Sequence, residues 1–233
     1  MNDNSIKEFY NTIQFPGPYS LESFEVYREE IVNPHIKLID KYASKSSNLI
    51  DIGCGTGFIS NFLAIKYPNL EILGLDFAQS ILFASYFARE NNLQTDFILT
   101  NFLDFETNKK YEMVLCQGVL HHIPQFDMAL KKLIDLTIPE GYLILGLYHP
   151  IGKILKKFIT LDYKNTILER DQEENVYEQS YTKQEIVGKL NKDFDLIDQT
   201  PQNIGKHFIL NPISFSVSGG LVTYVFRRKK YHE

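Results

Sequence analysis

The sequence predicts an α/β fold: a seven-stranded, mostly parallel sheet with helices on both faces. Three observations predict it. Short apolar runs alternate with segments of helical period from Asn48 onward, the alternation expected of strands joined by right-handed helical crossovers. The first run empties into a glycine-rich turn, Gly53-Cys54-Gly55-Thr56-Gly57, and a helical pattern follows at once. Two further apolar runs close the chain, giving seven in all.

Residues 1–47 form an aromatic-rich lead-in and then a helix around Glu22–Lys45. Phe15-Pro16-Gly17-Pro18-Tyr19 is a turn, because two prolines and a glycine do not continue a helix. Asn48–Ile52 is a buried strand, Phe58–Tyr67 a helix stopped by Pro68, and Glu71–Leu75 a second strand ending at Asp76. Ala78–Asn91 is helical, with Ile81, Ala84, Ser85 and Ala88 on one face. Strands follow at Asp96–Thr100 and Glu112–Cys116, then a helix at Phe126–Leu136. Pro139-Glu140-Gly141 reads as a turn into a fifth strand, Tyr142–Leu147.

Residues 150–180 break the rhythm and read as an insertion over the sheet edge. They carry Lys153, Lys156, Lys157 and Lys164 and then Glu169, Asp171, Glu173 and Glu174. Thr182 with Glu185 three residues on is a capping box at the start of a helix ending at Leu190. Phe194–Asp198 and Leu221–Arg227 are the last strands, and the 199–220 connection between them is long for a compact domain. The expected organisation is one domain over 1–233: an N-terminal lid or helix at 1–47, a core at 48–147, the insertion at 150–180 and C-terminal strands at 181–233.

Apolar residues make up 44% of the 233 and charged ones 23%, which excludes a disordered or fibrous chain. No apolar run is long enough to span a membrane. The start, MNDNSIKEFY, does not read as a secretory signal, and two cysteines, Cys54 and Cys116, make no disulfide framework. A cytoplasmic protein is the expectation. The net charge of −5 argues against a dedicated nucleic-acid partner.

The chemistry belongs at the glycine turn, where ligand approach meets no Cβ and a helix start offers free N–H groups. A dinucleotide site wants G-x-G-x-x-G, but counted from Gly53 the third glycine falls on Phe58. A carboxylate, Asp51, stands at the strand end instead; it would repel a diphosphate and attract a cation such as the ammonium of an amino acid. Asp76 ends the neighbouring strand, in the crevice where an open sheet binds ligands. It would accept from both hydroxyls of a ribose or, in the plainer reading, cap the next helix.

Residues of about 48–147 resemble the core of class I S-adenosylmethionine-dependent methyltransferases, of the small-molecule kind whose type case acts in quinone biosynthesis. The matching pieces are LIDIGCGTG, LGLDFAQSIL, DFILTNF and YEMVLCQGVLHHI, in order and in spacing. The resemblance implies a Rossmann-like sheet with its last strand antiparallel, S-adenosyl-L-methionine as cofactor and a small-molecule acceptor. Carried over residue by residue, it implies that Asp51, Gly53, Cys54, Gly55 and Gly57 hold the methionine part of the cofactor. Asp76 would hold the ribose, with Phe77 packing on the adenine. Asn101, where the family usually has Asp, would meet the adenine amino group through its amide oxygen, and Phe102 would offer its backbone N–H to the ring. Gln117 would lie near the methionine part, and Val119 would close over the adenine.

His121 and His122 follow the fourth strand and His149 follows the fifth, at the ligand end of the sheet. His121 and His149 are the candidate general bases for an amine or carbon acceptor; the plainer reading is rings packed inward. No metal is expected: where some quinone O-methyltransferases carry carboxylates, this chain has Gly118 and His121. Phe9, Tyr10, Phe15, Tyr19, Phe24 and Tyr27 would form either a lid over an apolar acceptor or the packing of the N-terminal helix. Three other functions stay open: methyl transfer to RNA or protein, suggested by the lysine cluster and the Arg227–Lys230 tail; cofactor binding without catalysis; and nicotinamide oxidoreduction. The oligomeric state is not legible.

Overall fold

The computed structural model describes residues 11, 17–29, 33–151, 177–202 and 220–230. Phe9, Tyr10, Phe15, the side chain of Tyr27, most of the 150–180 insertion with its lysines and acidic residues, and most of the 199–220 connection lie outside them.

The expected helix over Glu22–Lys45 is two helices, α1 (Glu22–Glu29) and α2 (Pro34–Ala43). The reason is Pro34. Its fixed φ and missing N–H suit the first helical position, and it pushes Asn33 out of the helical region. Asn33 is accordingly extended, and its side chain accepts from the N–H groups of His35 and Ile36.

The β–α alternation then runs as the hydrophobic pattern requires. It comprises β1 (Asn48–Ile52), α3 (Phe58–Lys66), β2 (Glu71–Asp76), α4 (Ile81–Glu90), β3 (Thr95–Leu99) and β4 (Tyr111–Gln117). A 3₁₀ turn at Leu120–His122 precedes α5 (Phe126–Leu136), which runs directly into β5 (Thr137–Tyr148). The chain ends with α6 (Lys183–Leu190), β6 (Phe194–Thr200) and β7 (Leu221–Arg228). Both halves of the Thr182–Glu185 capping box are formed.

Two further expectations are corrected. Pro139-Glu140-Gly141 is not a turn into the fifth strand but part of it. The register with β4 shifts between Tyr111 and Met113, and Glu140 takes a positive φ of 62°, so the three residues form an irregularity inside the pairing. In α4 the buried face is Ile81, Ala84, Phe87 and Ala88, while Ser85 points outward; the bulkier Phe87 takes the core position one turn after Ala84.

The strands form one seven-stranded sheet in the order β3-β2-β1-β4-β5-β7-β6. The first five pair in parallel, and β7 is antiparallel to both β5 and β6. Chain direction along the sheet therefore reverses between β1 and β4, the switch point where open α/β sheets bind ligands. Alternation along the strands divides the core. Leu49, Met113, Leu115, Ile144 and Val225 pack under α2 and α3. Ile50, Val114, Cys116, Leu145, Tyr224 and Phe226 pack under α5 and α6. Each fully buried side chain of this kind contributes roughly 1.5–3 kcal/mol.

Of the aromatic lead-in, Tyr19 and Phe24 are described, and both pack against Phe58 of α3 and Phe87 of α4. Tyr19 sits edge-on to Phe24, Phe58 and Phe83, with ring centroids 5.1–5.3 Å apart. Among the described residues no helix is long and apolar enough to cross a membrane.

Candidate functional site

The glycine turn leaves β1 in a conformation few residues other than glycine adopt. Gly53 and Gly57 have φ of 72° and 75°. A Cβ at Gly53 would stand 2.3 Å from Cγ2 of Val119, and one at Gly57 would stand 2.5 Å from Cβ of Ala84. The turn is therefore pressed between the start of α4 and the segment after β4. Gly57 is the N-cap of α3 and gives it no side-chain cap, so the helix start keeps the anion-friendly N–H groups of an uncapped end.

Two carboxylates flank the turn, both nearly closed to solvent. Asp51 on β1 is 3% exposed, and its Oδ2 accepts from the Ser60 hydroxyl at 2.7 Å. Burial, opposed by the Ser60 bond and aided by the charge of Asp76, raises its pKa to about 7. A buried carboxyl with that pKa is poised to ionise when a cation arrives. Asp76 at the end of β2 accepts from the Gly55 N–H through Oδ2 and from the Ala78 N–H through Oδ1, both at 2.8 Å. Burial raises its pKa, and backbone N–H groups hold it back. An ionised carboxylate has about four acceptor sites; the backbone N–H groups of Gly55, Phe77 and Ala78 bear on this one, which leaves capacity for an outside hydroxyl. Both plain and ligand readings of Asp76 are thus compatible with one geometry. It ties the two loops together and keeps acceptor capacity at the crevice.

The other expected cofactor contacts gather around the same edge. Phe77, Asn101, Gln117 and Val119 are half-buried, whereas Cys54 and Phe102 are buried. Asn101 Oδ1 accepts from the N–H of Leu103 at 3.0 Å, which spends one of its lone pairs on its own loop. Val119 lies against Gly53. Gln117 turns across Gly146 to Thr223, its Nε2 2.9 Å from Thr223 Oγ1. The thiol of Cys54 is pushed well up by burial, which makes it a packing group rather than a nucleophile.

The histidines lie inward, as the plainer of the two sequence readings has them. His121 is wholly buried. Its ring lies 4.1 Å from that of His122 and 4.2 Å from that of Tyr148. His122 Nδ1 lies 3.2 Å from the carbonyl of Tyr177. His149 follows β5 and is buried, with a pKa lowered by burial. Its Nδ1 accepts from the N–H of Ile151 at 3.3 Å, capping the helical turn begun at Pro150. A neutral ring accepting at Nδ1 carries its proton on Nε2, so its other nitrogen is a donor and not a base.

Sequence reasoning missed Ser60, which holds Asp51, and Thr223, and it gave Tyr19 only as a lid or packing aromatic, whereas its hydroxyl donates to the carbonyl of Thr56 in the turn and accepts from Asn61 Nδ2. Ser60 and Asn61 carried a readable signal, since both are polar positions on the inward face of an otherwise apolar helix. Asn11 was also unread; its Oδ1 accepts from the N–H of Gln79 beside Asp76. A separate cleft of about 330 Å³, lined by Phe126, Tyr177, Tyr181 and Lys189 among others, touches none of the turn residues. Among the described residues no cluster of His, Cys, Asp or Glu is arranged to hold a metal.

Comparison with known proteins meets this geometry at the same place. The chain is 30% identical over 99 residues to a ubiquinone biosynthesis O-methyltransferase of Rickettsia akari, a match covering 42% of this chain and 39% of that protein. The chain thus spans about two-fifths of that relative's length. Among solved structures, magnesium protoporphyrin IX methyltransferase from Synechocystis PCC 6803 with bound S-adenosylhomocysteine superposes with a TM-score of 0.62. It shares 17% identity and covers 98% of this chain and 100% of its own. The plantazolicin methyltransferase BpumL, also in complex with S-adenosylhomocysteine, gives 0.61 at 14% identity, covering 98% of this chain and 97% of its own. At such identity these likenesses concern the fold. The profile of a family described as "Methyltransferase domain" matches residues 43–203, which takes in the glycine turn, both carboxylates and six of the strands, and the chain belongs to that family.

Proposed function

We propose that this domain binds S-adenosyl-L-methionine and transfers its methyl group to a small-molecule acceptor. The observation that carries the reading is the turn between β1 and α3, with Asp51 buried behind it and Asp76 bonded to Gly55 across it. Asp51 with Gly53, Cys54, Gly55 and Gly57 would hold the methionine part, where a buried carboxyl answers an ammonium group and an uncapped helix start answers a carboxylate. Asp76 would take the ribose hydroxyls. Phe77, Asn101, Phe102 and Val119 would surround the adenine, and Gln117 would face the methionine end.

The cofactor supplies an electrophilic methyl on a sulfonium. The chain's own work is to orient it, bury it and exclude water, and alignment of this kind is worth about 7–11 kcal/mol. His149 is a donor at Nε2 in this arrangement and His121 is enclosed by rings. An acceptor that is already acidic, such as a phenol or carboxylic acid, suits this site better than one needing deprotonation. The reading extends to a single cytoplasmic domain over 1–233. Calorimetry tests it: S-adenosylmethionine and S-adenosylhomocysteine should bind and NAD and NADP should not. The reverse preference would end it.

A further inference from the structure

Three residues stand in one row across the sheet: Gln117 on β4 pairs with Gly146 on β5, and Gly146 pairs with Thr223 on β7. Their side chains share the face that carries Leu115, Ile144 and Val225, because alternate residues of a strand share a face. Asp51 pairs with Leu115, so it shares that face, and Gln117 stands two residues further along β4 toward the ligand end. Gly146 is the gap in the row. A Cβ there would lie 2.4 Å from both Cδ and Oε1 of Gln117, so the Gln117 carboxamide lies across the glycine and reaches the next strand but one. Nε2 of Gln117 is 2.9 Å and Oε1 is 3.2 Å from Thr223 Oγ1. On the other side of that fully buried hydroxyl stands His35 Nδ1, at 2.8 Å, in the first turn of α2.

We infer that Thr223 and His35 are positioning residues for Gln117: together they hold its carboxamide side-on so that its outward face meets the amino-acid end of the cofactor. The inference rests on the proposed cofactor site. A hydroxyl has one proton and two lone pairs. The Gln117 N–H spends one lone pair and His35 Nδ1 engages the hydroxyl from the other side, so Thr223 is anchored between the two and tethers the edge of the carboxamide. The row thereby converts a flexible side chain at the strand end into a fixed one, and fixed polar groups lose little on binding. His35 brings α2 into the arrangement, so the helix that begins at Pro34 bears on the cofactor site through Thr223.

The test uses two ligands that share the adenosine and the sulfur but differ in the amino-acid end: S-adenosylhomocysteine and 5′-methylthioadenosine. With the full-length protein, Thr223→Val should weaken the first about tenfold and leave the second within about twofold. Thr223→Ser should restore the first. Gly146→Ala should give the same selective loss by crowding the carboxamide, and it retains every hydrogen-bonding partner, which covers the case in which Thr223→Val folds poorly. In a Gln117→Ala background Thr223→Val should cost nothing further. Equal loss on both ligands, or full additivity with Gln117→Ala, would show that the row only holds α2 to the sheet and would overturn the inference. A wild-type protein that binds neither nucleoside would overturn the cofactor reading itself, before any variant is made.

Discussion

The ligand edge of the sheet has two halves built on different terms. At the ends of β1 and β2 the groups facing a ligand are a backbone turn of positive φ and two buried carboxylates, each bonded to a specific partner: Asp51 to Ser60, Asp76 to Gly55 and Ala78. At the ends of β4 and β5 the conspicuous groups are histidines, and they are taken up by rings and by a helix start. The first half owes its chemistry to backbone geometry set within a few residues. The second depends on which nitrogen carries a proton and on what packs around it, and those are decided by distant segments such as 177–181, whose Gln179 N–H bonds the carbonyl of His121. The comparison teaches that the geometry of a strand-end carboxylate beside a glycine turn is set locally, whereas the chemistry of a strand-end histidine is settled only once its tautomer is known.

The strongest way to break the comparison is Asp76→Ala. Affinity for S-adenosylhomocysteine should fall by about 1.5–3 kcal/mol, the range for hydrogen bonds to a charged group. Because Gly55 and Ala78 lose their acceptor as well, the ligand-free protein should also lose about 1 kcal/mol, or roughly 2–4 °C in Tm for a chain of this size. Calorimetry and thermal melts read the two effects separately. A drop in Tm with unchanged affinity would reduce Asp76 to a turn cap and erase the distinction between the halves.

Asp51 sharpens the comparison through pH. Its pKa without ligand is about 7, above the roughly 3.9 of an unfolded aspartate. The native state therefore holds an extra proton between those values, and this group's contribution to stability falls as pH rises through that window. Binding runs the other way. A cationic ligand favours the carboxylate, so below pH 7 the proton must leave, and affinity for S-adenosylmethionine should rise up to tenfold per pH unit toward 7, then fall again above about 8 as the ligand's own α-amino group loses its proton. Titration in buffers of different ionisation enthalpy should show proton release at pH 6, turning to uptake above about pH 8. Asp51→Asn should remove the slope below pH 7. A slope there that survives the substitution assigns the titration elsewhere.

What was legible divides along the same line. The strand and helix order, the glycine turn and both carboxylates could be read because each is local: period, spacing and the residue types that tolerate a given φ. Pro34 was legible too and was passed over, since one helix over Glu22–Lys45 ignores what proline requires of its predecessor. The run through Pro139-Glu140-Gly141 could not be placed inside the strand, because only the pairing on either side of it, Thr137 with Tyr111 and Tyr142 with Met113, makes the strand continuous. Ser60 showed as a polar residue on a buried helix face. Thr223 and His35 gave no signal at all; 188 positions separate them, and only the sheet order brings them together.

Tyr19→Phe asks how far the first half depends on the N-terminal segment. The substitution keeps the ring among Phe24, Phe58 and Phe83 and removes only the hydroxyl that joins Thr56 to Asn61. The expected cost is about 1 kcal/mol, with faster amide exchange in the turn at 53–57 and a several-fold loss of affinity for S-adenosylhomocysteine. Exchange that quickens only in α3 and α4 would mean that Tyr19 serves the helices and leaves the turn untouched.

The smallest effect is expected at His149, and it bears on the second half directly. If the ring caps the turn at Pro150, asparagine should replace it, since an amide oxygen can accept from Ile151 as Nδ1 does. His149→Asn should then stay within about 0.5 kcal/mol of wild type while His149→Ala loses about 1 kcal/mol. Burial lowers the ring's pKa, so its contribution to stability is complete above the ordinary 6.5 or so and is lost as pH falls through the lowered value. Nitrogen-15 spectra of the imidazole decide the chemistry independently of any acceptor. A neutral ring protonated at Nε2 at pH 7 has its basic nitrogen turned to the backbone and cannot take a proton from a substrate on its outward side. A ring protonated at Nδ1, with a free Nε2 and a stability unchanged by alanine, would make His149 a base in waiting, and the two halves of the edge would then differ in timing rather than in kind.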